Sequence, residues 1–371
     1  MKKTPLKITD VKYKSYRWPL TTPIRNGKHI YPEAGLNIIQ IDTDENISGI
    51  GLIGGVHNSE EMFAAITSHF KETLIGQSPF NTERIFYDLW QPKIIGRRGM
   101  TTRVISGIDI ALWDIKGKYT NLPLYKLIGG QFNKKIPVYV AGGYYEKGKG
   151  LKELADEMIN NISSGVTAVK MKIGGASIIE DVERVKTARS AIGPNIKLLV
   201  DANCAYNCYE AIDLARKIEN YNIFWFEEPL PPDDYEGYKK LSQSTVIPIA
   251  TGENEYTKYG FRDLIKNRCA SILQPDALTM GGISEFLKTA YLAQTENLPI
   301  SPHGNQDVHI HLISSISNGL LLEYYNGSTD PMWLDMFEEP LKIQDGHAVA
   351  PERPGLGINL NHYAISKYQT N

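Results

Sequence analysis

The chain shows two patterns of apolar and polar positions, and one gives way to the other near residue 135. Before that point, alternating runs such as KITDVKYKSYRW, GLNIIQIDTD and ISGIGLIGG predict antiparallel strands with one wet and one dry face. Three stretches with helical spacing follow: MFAAITSHFKETLIG, which Asn58 and Glu61 are spaced to cap, then TERIFYDLWQ and TTRVISGIDIALWDIKGKYT. Between the first strands, Arg17 to Glu33 is polar and lacks a period, which predicts a loop.

After Lys135 short apolar runs alternate regularly with amphipathic stretches. IPVYVAG, TAVKMKI, KLLVDAN, NIFWFEEP, VIPIATGEN, ASILQPD, LPISPHG and GLLLEYYN predict eight strands, joined by seven helices. The first of those helices sets Leu151, Leu154, Ala155, Met158, Ile159 and Ile162 on one stripe. Repeated strand–helix units favour a parallel sheet, and eight of them favour closure into a barrel. The expected class is α/β: an α+β domain over 1–133, a (β/α)7β barrel over 134–330, and a tail over 331–371 that returns to the first domain.

In such a barrel the chemistry sits at the C-terminal ends of the strands. Here those ends are polar. Lys170 and Lys172 end the second strand on one face, Asp201 and Asn203 the third, Glu227 and Glu228 the fourth, and Glu253 and Asn254 the fifth. Asp276 ends the sixth, His303 the seventh and Glu323 the eighth. Asp201, Glu227 and Glu253 are spaced 26 residues apart, one carboxylate per unit on neighbouring strands.

Each of these residues alone has a plainer reading. The lysine pair suits an edge strand with one wet face, a carboxylate after a strand caps the next helix, and a lone histidine is a satisfied side chain. Successive ionisable strand ends in one mouth are not what capping predicts. Burying that charge is costly unless it is paired or metal-bound. Three hard oxygen ligands without cysteine or histidine point to Mg²⁺ rather than zinc. His309 and His311 in DVHIHL form the kind of pair that opens zinc hydrolase barrels, but they lie beyond the seventh strand and read as structural. A neighbouring ammonium, a cation and desolvation are each expected to lower the Lys172 pKa, so that it takes a proton from carbon. Across the mouth, Asp276 is expected to orient His303 and raise its basicity.

The bulk numbers narrow the partners. A net charge of −2 over 371 residues, with no long like-charge run, argues against nucleic acid and anionic membranes. Three cysteines (Cys204, Cys208, Cys269) cannot build a disulfide framework and suit a reducing cytosol. MKKTPLKITD lacks the apolar stretch of a signal peptide, so a cytoplasmic protein is expected.

Taken together, VKMKIGG, VDAN, FEEP, TGEN, QPDALTMGGISE, SPHG, LLEYY and PGLGINL resemble the enolase superfamily, and within it the mandelate racemase subgroup. The likeness covers nearly the whole chain, with SGIDIALWDIKGK and PLYKLIGG similar to the end of the family's capping domain. It implies a modified TIM barrel, with Asp201, Glu227 and Glu253 binding Mg²⁺ and Lys172 as base, tuned by Lys170. It implies His303, oriented by Asp276, on the opposite face, and Glu323 bonded to the carboxylate oxygen that becomes charged. Asn203 is expected to touch substrate and Glu228 to support the ligands. Asp276 stands where the muconate-cycloisomerase and dipeptide-epimerase branches carry lysine.

Most subgroup members resemble acid-sugar dehydratases, which remove the α-proton, lose the β-hydroxyl and ketonise to a 2-keto-3-deoxy acid. A racemase or epimerase of a 2-hydroxy acid needs the same opposed groups and is the alternative. A barrel that binds a small ligand without turnover ranks lower, because neither the ligand set nor the base is missing. The expected partner is a small carboxylate, in a homo-oligomer. Arg25, His29, Tyr31 and His57 of the first domain, with Tyr144 and Tyr145 after the first barrel strand, are expected to select it; Arg25 or Lys28 either binds a distal carboxylate of a diacid sugar or is a solvated loop charge.

Overall fold

The computed structural model describes residues 6–55, 58–327 and 330–370. Its first unit is an antiparallel sheet of β1 (Ile8–Arg25), β2 (Ile30–Thr43) and β3 (Ser48–Ile53), in that order. Five helices follow: α1 (Glu60–Leu74), α2 (Thr82–Leu89), α3 (Pro92–Ile95), α4 (Met100–Thr120) and α5 (Leu124–Leu127). The N-cap of α1 is Ser59, one position after the expected Asn58. Glu60 and Glu61 then fall in the first turn, where they complement the positive end of the helix dipole instead of forming a capping box.

The expected loop at 17–33 is mostly paired. β1 runs to Arg25, Ile24 faces Tyr31, and only a short turn separates the two strands. The period was lost because the register shifts between Pro19 and Ile24 and the arm is largely solvent-facing. This hairpin arm reaches the barrel, where Arg25 pairs with Tyr145 in an antiparallel bridge.

Helix α4 is buried on nearly every side between the sheet and the barrel. It crosses β3 so closely that a Cβ on Gly51 would lie 1.8 Å from the Gly107 carbonyl oxygen, which excludes any other residue. Asp114, fully buried on α4, accepts the backbone N–H groups of Ile50 and Leu356, each at 2.9 Å. One carboxylate thus holds sheet, helix and tail together.

The second unit is the barrel. Its parallel strands are β4 (Ile136–Gly142), β5 (Ala168–Lys172), β6 (Lys197–Asp201), β7 (Ile223–Glu227), β8 (Ile249–Thr251), β9 (Ile272–Leu273) and β10 (Leu322–Tyr324), with β10 beside β4. Between them run α6 (Leu151–Ile162), α7 (Ile178–Ile192), α8 (Cys208–Ile218), α9 (Tyr235–Ser242), α10 (Thr257–Lys266), α11 (Gly282–Thr295) and α12 (Gln306–Ser315). The expected seventh strand is reduced to one residue, Ile300, bridged in parallel to Leu273 and Gly319. Pro299 and Pro302 flank it and have no N–H to extend the ladder. Tyr139, Leu199, Trp225 and Ile272 fill the interior below the mouth, with Tyr139 and Trp225 edge to face at 5.2 Å.

The tail carries α13 (Pro331–Asp335), β11 (His347–Ala348) and α14 (His362–Tyr368). It does two jobs. β11 pairs antiparallel with the start of β4, which the sequence pattern did not anticipate, and Gln369 bridges Tyr16 of the first sheet. Among the described residues, no helix is long and apolar enough to cross a membrane.

Candidate active site

Strand register builds the site. Lys172 of β5, Asp201 of β6 and Glu227 of β7 are direct partners across adjacent parallel strands, so their side chains enter the barrel at one level. Lys170 sits one layer deeper, on the same face as Lys172, with its ammonium 5.5 Å from the centre of the Tyr139 ring. Val169 and Met171 point outward into the main core. The alternation expected for this strand is present.

Both lysines are buried against carboxylates. Lys172 Nζ lies 2.5 Å from Asp201 Oδ2, with no other carboxylate as close among the described residues. Lys170 Nζ lies 2.6 Å from Glu227 Oε1, 2.6 Å from Glu323 Oε1 and 3.3 Å from Asp201 Oδ2. Burial alone would lower both lysine pKa values, but here the carboxylates win and both are raised: Asp201 dominates at Lys172, and Glu227 with Glu323 at Lys170. The lowered value expected for Lys172 is therefore not a property of the protein by itself. It needs something to offset the charge of Asp201.

Asp201, Glu227 and Glu253 each bring an oxygen within 4.8 Å of the other two, and among the described residues this group can hold a metal ion. The donors are hard oxygens, and Glu253 Oε2 is buried without a hydrogen-bond donor, so the set fits a small divalent cation. Trp225 Nε1 donates to Glu227 Oε2 at 3.0 Å and the Asn203 N–H to Asp201 Oδ1 at 3.0 Å, which orients two of the three. Glu228 is outside this group. Its carboxylate accepts from Asn254 Nδ2 at 2.8 and 3.1 Å, and burial, reinforced by Glu253, raises its pKa well above the usual range.

His303 stands at the other end of the triad. Its Nε2 is 3.5 Å from Glu253 Oε2, and its Nδ1 is 3.3 Å from Asp276 Oδ2. Burial pulls its pKa down, but Glu253, Asp276 and Glu323 outweigh it and push the value up to about 10. Asp276 is fixed by the Leu278 N–H at 2.8 Å, and Glu323 Oε2 accepts the Gly304 N–H at 2.6 Å. Lys172 thus contacts Asp201 at one end of the carboxylate set, and His303 contacts Glu253 at the other.

The arm from the first domain covers this mouth. A Cβ on Gly27 would meet Ala202 and Ala205, so the turn rests directly on the loop after β6. Asn26 Oδ1 accepts the N–H groups of Lys28 and His29, and its amide donates to the Tyr31 hydroxyl at 3.2 Å. Lys28 and His29 are exposed. Tyr31, Tyr144 and Tyr325 have their phenols raised, chiefly by burial, and each also senses lysines or carboxylates of the site. Tyr144 lies under the Lys172 ammonium, 5.3 Å from ring centre to Nζ. Arg25 is exposed and already engaged: Nη2 donates to the Gly175 carbonyl at 2.9 Å and the guanidinium sits 5.1 Å from the Tyr145 ring centre. Its partner Tyr145 donates to Asp181. That pair fastens the arm and does not leave a free cation in the mouth. His57 lies outside the described residues.

Some residues of the site escaped sequence reasoning. Arg184 Nη2 donates to the Gly143 carbonyl at 2.7 Å and lies 3.3 Å from the Lys172 carbonyl, tying the ends of β4 and β5. The Gln274 side chain and the Tyr139 hydroxyl are buried in the barrel without hydrogen-bond partners among the described residues. Nothing in their local pattern distinguishes them from ordinary barrel residues.

Two family models account for the chain. Residues 8–129 match the mandelate racemase / muconate lactonizing enzyme N-terminal domain, and residues 151–364 match the enolase C-terminal domain-like family. The chain belongs to this family. A family member from Saccharolobus solfataricus, arabinonate dehydratase, is 32% identical over 342 residues, covering 89% of each chain. The L-talarate/galactarate dehydratase of Salmonella typhimurium LT2, solved with Mg and L-lyxarohydroxamate, superposes with a TM-score of 0.91 at 31% identity, over 99% of this chain and 94% of that one. A racemase from Streptomyces coelicolor A3(2), with bound magnesium, has a TM-score of 0.92 at 30% identity, over 98% of this chain and all of its own.

Proposed function

We propose that the protein is a Mg²⁺-dependent acid-sugar dehydratase: it removes the proton α to a substrate carboxylate and eliminates water from the β-carbon. One observation carries this reading. Lys172 and His303 stand at opposite ends of a three-carboxylate set inside one covered mouth. The arabinonate and talarate/galactarate dehydratases among the relatives support the reaction class.

Asp201, Glu227 and Glu253 would hold the cation. Bound there, Mg²⁺ would supply Lewis acidity toward the substrate carboxylate and offset the Asp201 charge that otherwise keeps Lys172 protonated. With that charge offset, burial and the Lys170 ammonium are left to favour the neutral amine at Lys172, which takes the α-proton as general base. Lys170, held between Glu227 and Glu323, keeps positive charge beside the oxygens that become negative as the proton leaves. Burial favours a proton on Glu323 but Lys170 and His303 outweigh it and lower its pKa, so Glu323 would hydrogen-bond the developing oxyanion only after taking up a proton. On the other face His303, steered by Asp276, donates a proton to the departing hydroxyl. Asn203, whose side-chain oxygen is buried without a donor, and Tyr144 bind substrate hydroxyls.

A racemase or epimerase is the second reading, favoured by the same two opposed groups. The reading carries with it a cytoplasmic homo-oligomer that acts on small carboxylates and not on nucleic acid, in keeping with three cysteines and a net charge of −2. Incubation with Mg²⁺ and a panel of acid sugars in D₂O, followed by proton NMR, tests it. A 2-keto-3-deoxy product is expected. Loss of the α-proton signal without elimination would shift the assignment to racemisation, and silence across the panel would overturn both.

A further inference from the structure

His309 takes no part in the chemistry above, yet both of its ring nitrogens are committed to the two segments that carry Asp276 and His303. Nδ1 lies 2.6 Å from the Gly304 carbonyl oxygen, which only accepts, so Nδ1 carries the proton. Nε2 accepts the Ala277 N–H at 3.0 Å. The two bonds specify the neutral Nδ1–H tautomer, and burial, which lowers the His309 pKa despite the nearby Asp276, keeps it there. Phe286 stacks on the ring from α11 at 6.0 Å and 28°, which fixes its plane.

The placement of those bonds is what matters. Gly304 directly follows His303, and Ala277 directly follows Asp276. The same Gly304 peptide donates its N–H to Glu323 Oε2 at 2.6 Å, so it is held from both sides. His309 is therefore a rigid spacer between the end of β9 and the loop that replaces a regular seventh strand. That loop needs one, because Ile300 is its only residue in a bridge to the sheet and Gly304 and Asn305 both have positive φ, at 57° and 43°. A buried histidine with two satisfied nitrogens is ordinary core. A histidine whose two bonds end one residue from each member of a dyad sets the distance between them.

We infer that His309 is a positioning residue that sets the approach of His303 to Asp276, and so controls the proton-donating half of the reaction far more than the half run by Lys172. The inference rests on the functional reading given above. A displacement of about 1 Å in such a pair is worth on the order of 10²-fold in rate.

The test uses His309→Leu, with His309→Gln as the conservative variant, whose amide offers one donor and one acceptor. With an acid sugar that the wild-type protein turns over, in Mg²⁺ and D₂O, α-proton exchange and loss of the β-hydroxyl are read separately by proton NMR. In His309→Leu elimination is expected to fall on the order of 10²-fold while exchange persists, with part of the loss recovered in His309→Gln. In a His303→Asn background, His309→Leu is expected to add nothing, because it acts through His303. A parallel fall of exchange and elimination, an unchanged ratio, or additive losses would overturn the inference. If the wild-type protein turns over no acid sugar, the functional reading fails and ¹⁵N-histidine spectra of the substrate-free protein decide this one. The His303 Nδ1–H signal, identified by its loss in His303→Asn, must shift or vanish in His309→Leu, and an unchanged signal refutes the spacer.

Discussion

Asp109 offers a quantitative test of how the first unit is fastened to the barrel. It lies on α4, fully buried, where Oδ2 accepts the Ser284 N–H at 2.9 Å and Oδ1 the Ser284 hydroxyl at 2.6 Å, at the start of α11. Burial pushes its pKa from 3.8 up to about 6, against the lowering effect of the Ser284 bonds. The folded state thus holds this proton more tightly than the unfolded chain, so stability falls as pH rises through that interval. At about 1.4 kcal/mol per unit, the full difference is about 3 kcal/mol, of which roughly half develops between pH 5 and pH 8. Asp109→Asn keeps one acceptor and cannot ionise. Its urea-unfolding free energy, minus that of the wild type, is expected to grow by about 1.5 kcal/mol from pH 5 to pH 8. Other titrating groups cancel in that difference because they are shared by both proteins. Parallel pH profiles for the two proteins would show that the Ser284 bonds outweigh burial, and that Asp109 is an ordinary ionised cap.

Four further outcomes are expected. Asp114→Ala strands the buried N–H groups of Ile50 and Leu356 and frees Lys118, so urea unfolding should show a loss of about 3–5 kcal/mol. Lys172→Ala should abolish α-proton exchange in D₂O by on the order of 10²–10⁴-fold while leaving the unfolding midpoint near or above the wild-type value measured in Mg²⁺. Glu253→Gln should weaken Mg²⁺ binding measured by calorimetry, and removal of Mg²⁺ by chelation should stop exchange and elimination together, since both are assigned to the same triad.

The barrel was legible because its two periodicities are strong and its repeats regular. The spacing of Asp201, Glu227 and Glu253 converted one-dimensional distance into neighbouring strands: the parallel register keeps Asp201 and Glu227 at one level, and Glu253, just past the end of β8, brings its oxygen to them. The failures have physical causes. The arm through Arg25 looked like a loop because an exposed strand has no dry face to impose alternation. Arg25 looked free because its partners, Gly175 and Tyr145, are 150 and 120 residues away in sequence. The low Lys172 pKa was expected with a cation beside it; without one, Asp201, which arrives from the adjacent strand, outweighs burial and raises it. In each case the missing information was a partner that only the fold supplies.

Glu228 shows the same limit at the level of backbone strain. It follows Glu227 directly, and in a continuing strand the two carboxylates would point to opposite faces. The chain instead takes a φ of 38° at Glu228, a left-handed conformation that costs an ordinary residue about 1–2 kcal/mol. The nearby loop after β6 does likewise at Asn203 and Cys204, at 45° and 60°. Asparagine accepts such angles readily, but glutamate gains nothing locally from them. The conformation ends the strand at Glu227 and brings the Glu228 carboxyl close enough to Glu253 for that neighbour to reinforce burial in raising the Glu228 pKa, with the Asn254 amide as its donor. Glycine would relieve the backbone, yet it would leave Asn254 without its acceptor and remove a buried carboxyl group from beside a proposed ligand. The strain is intelligible only if that carboxylate is worth more in place than a relaxed turn, which is the relation expected where structure is held in tension by a site.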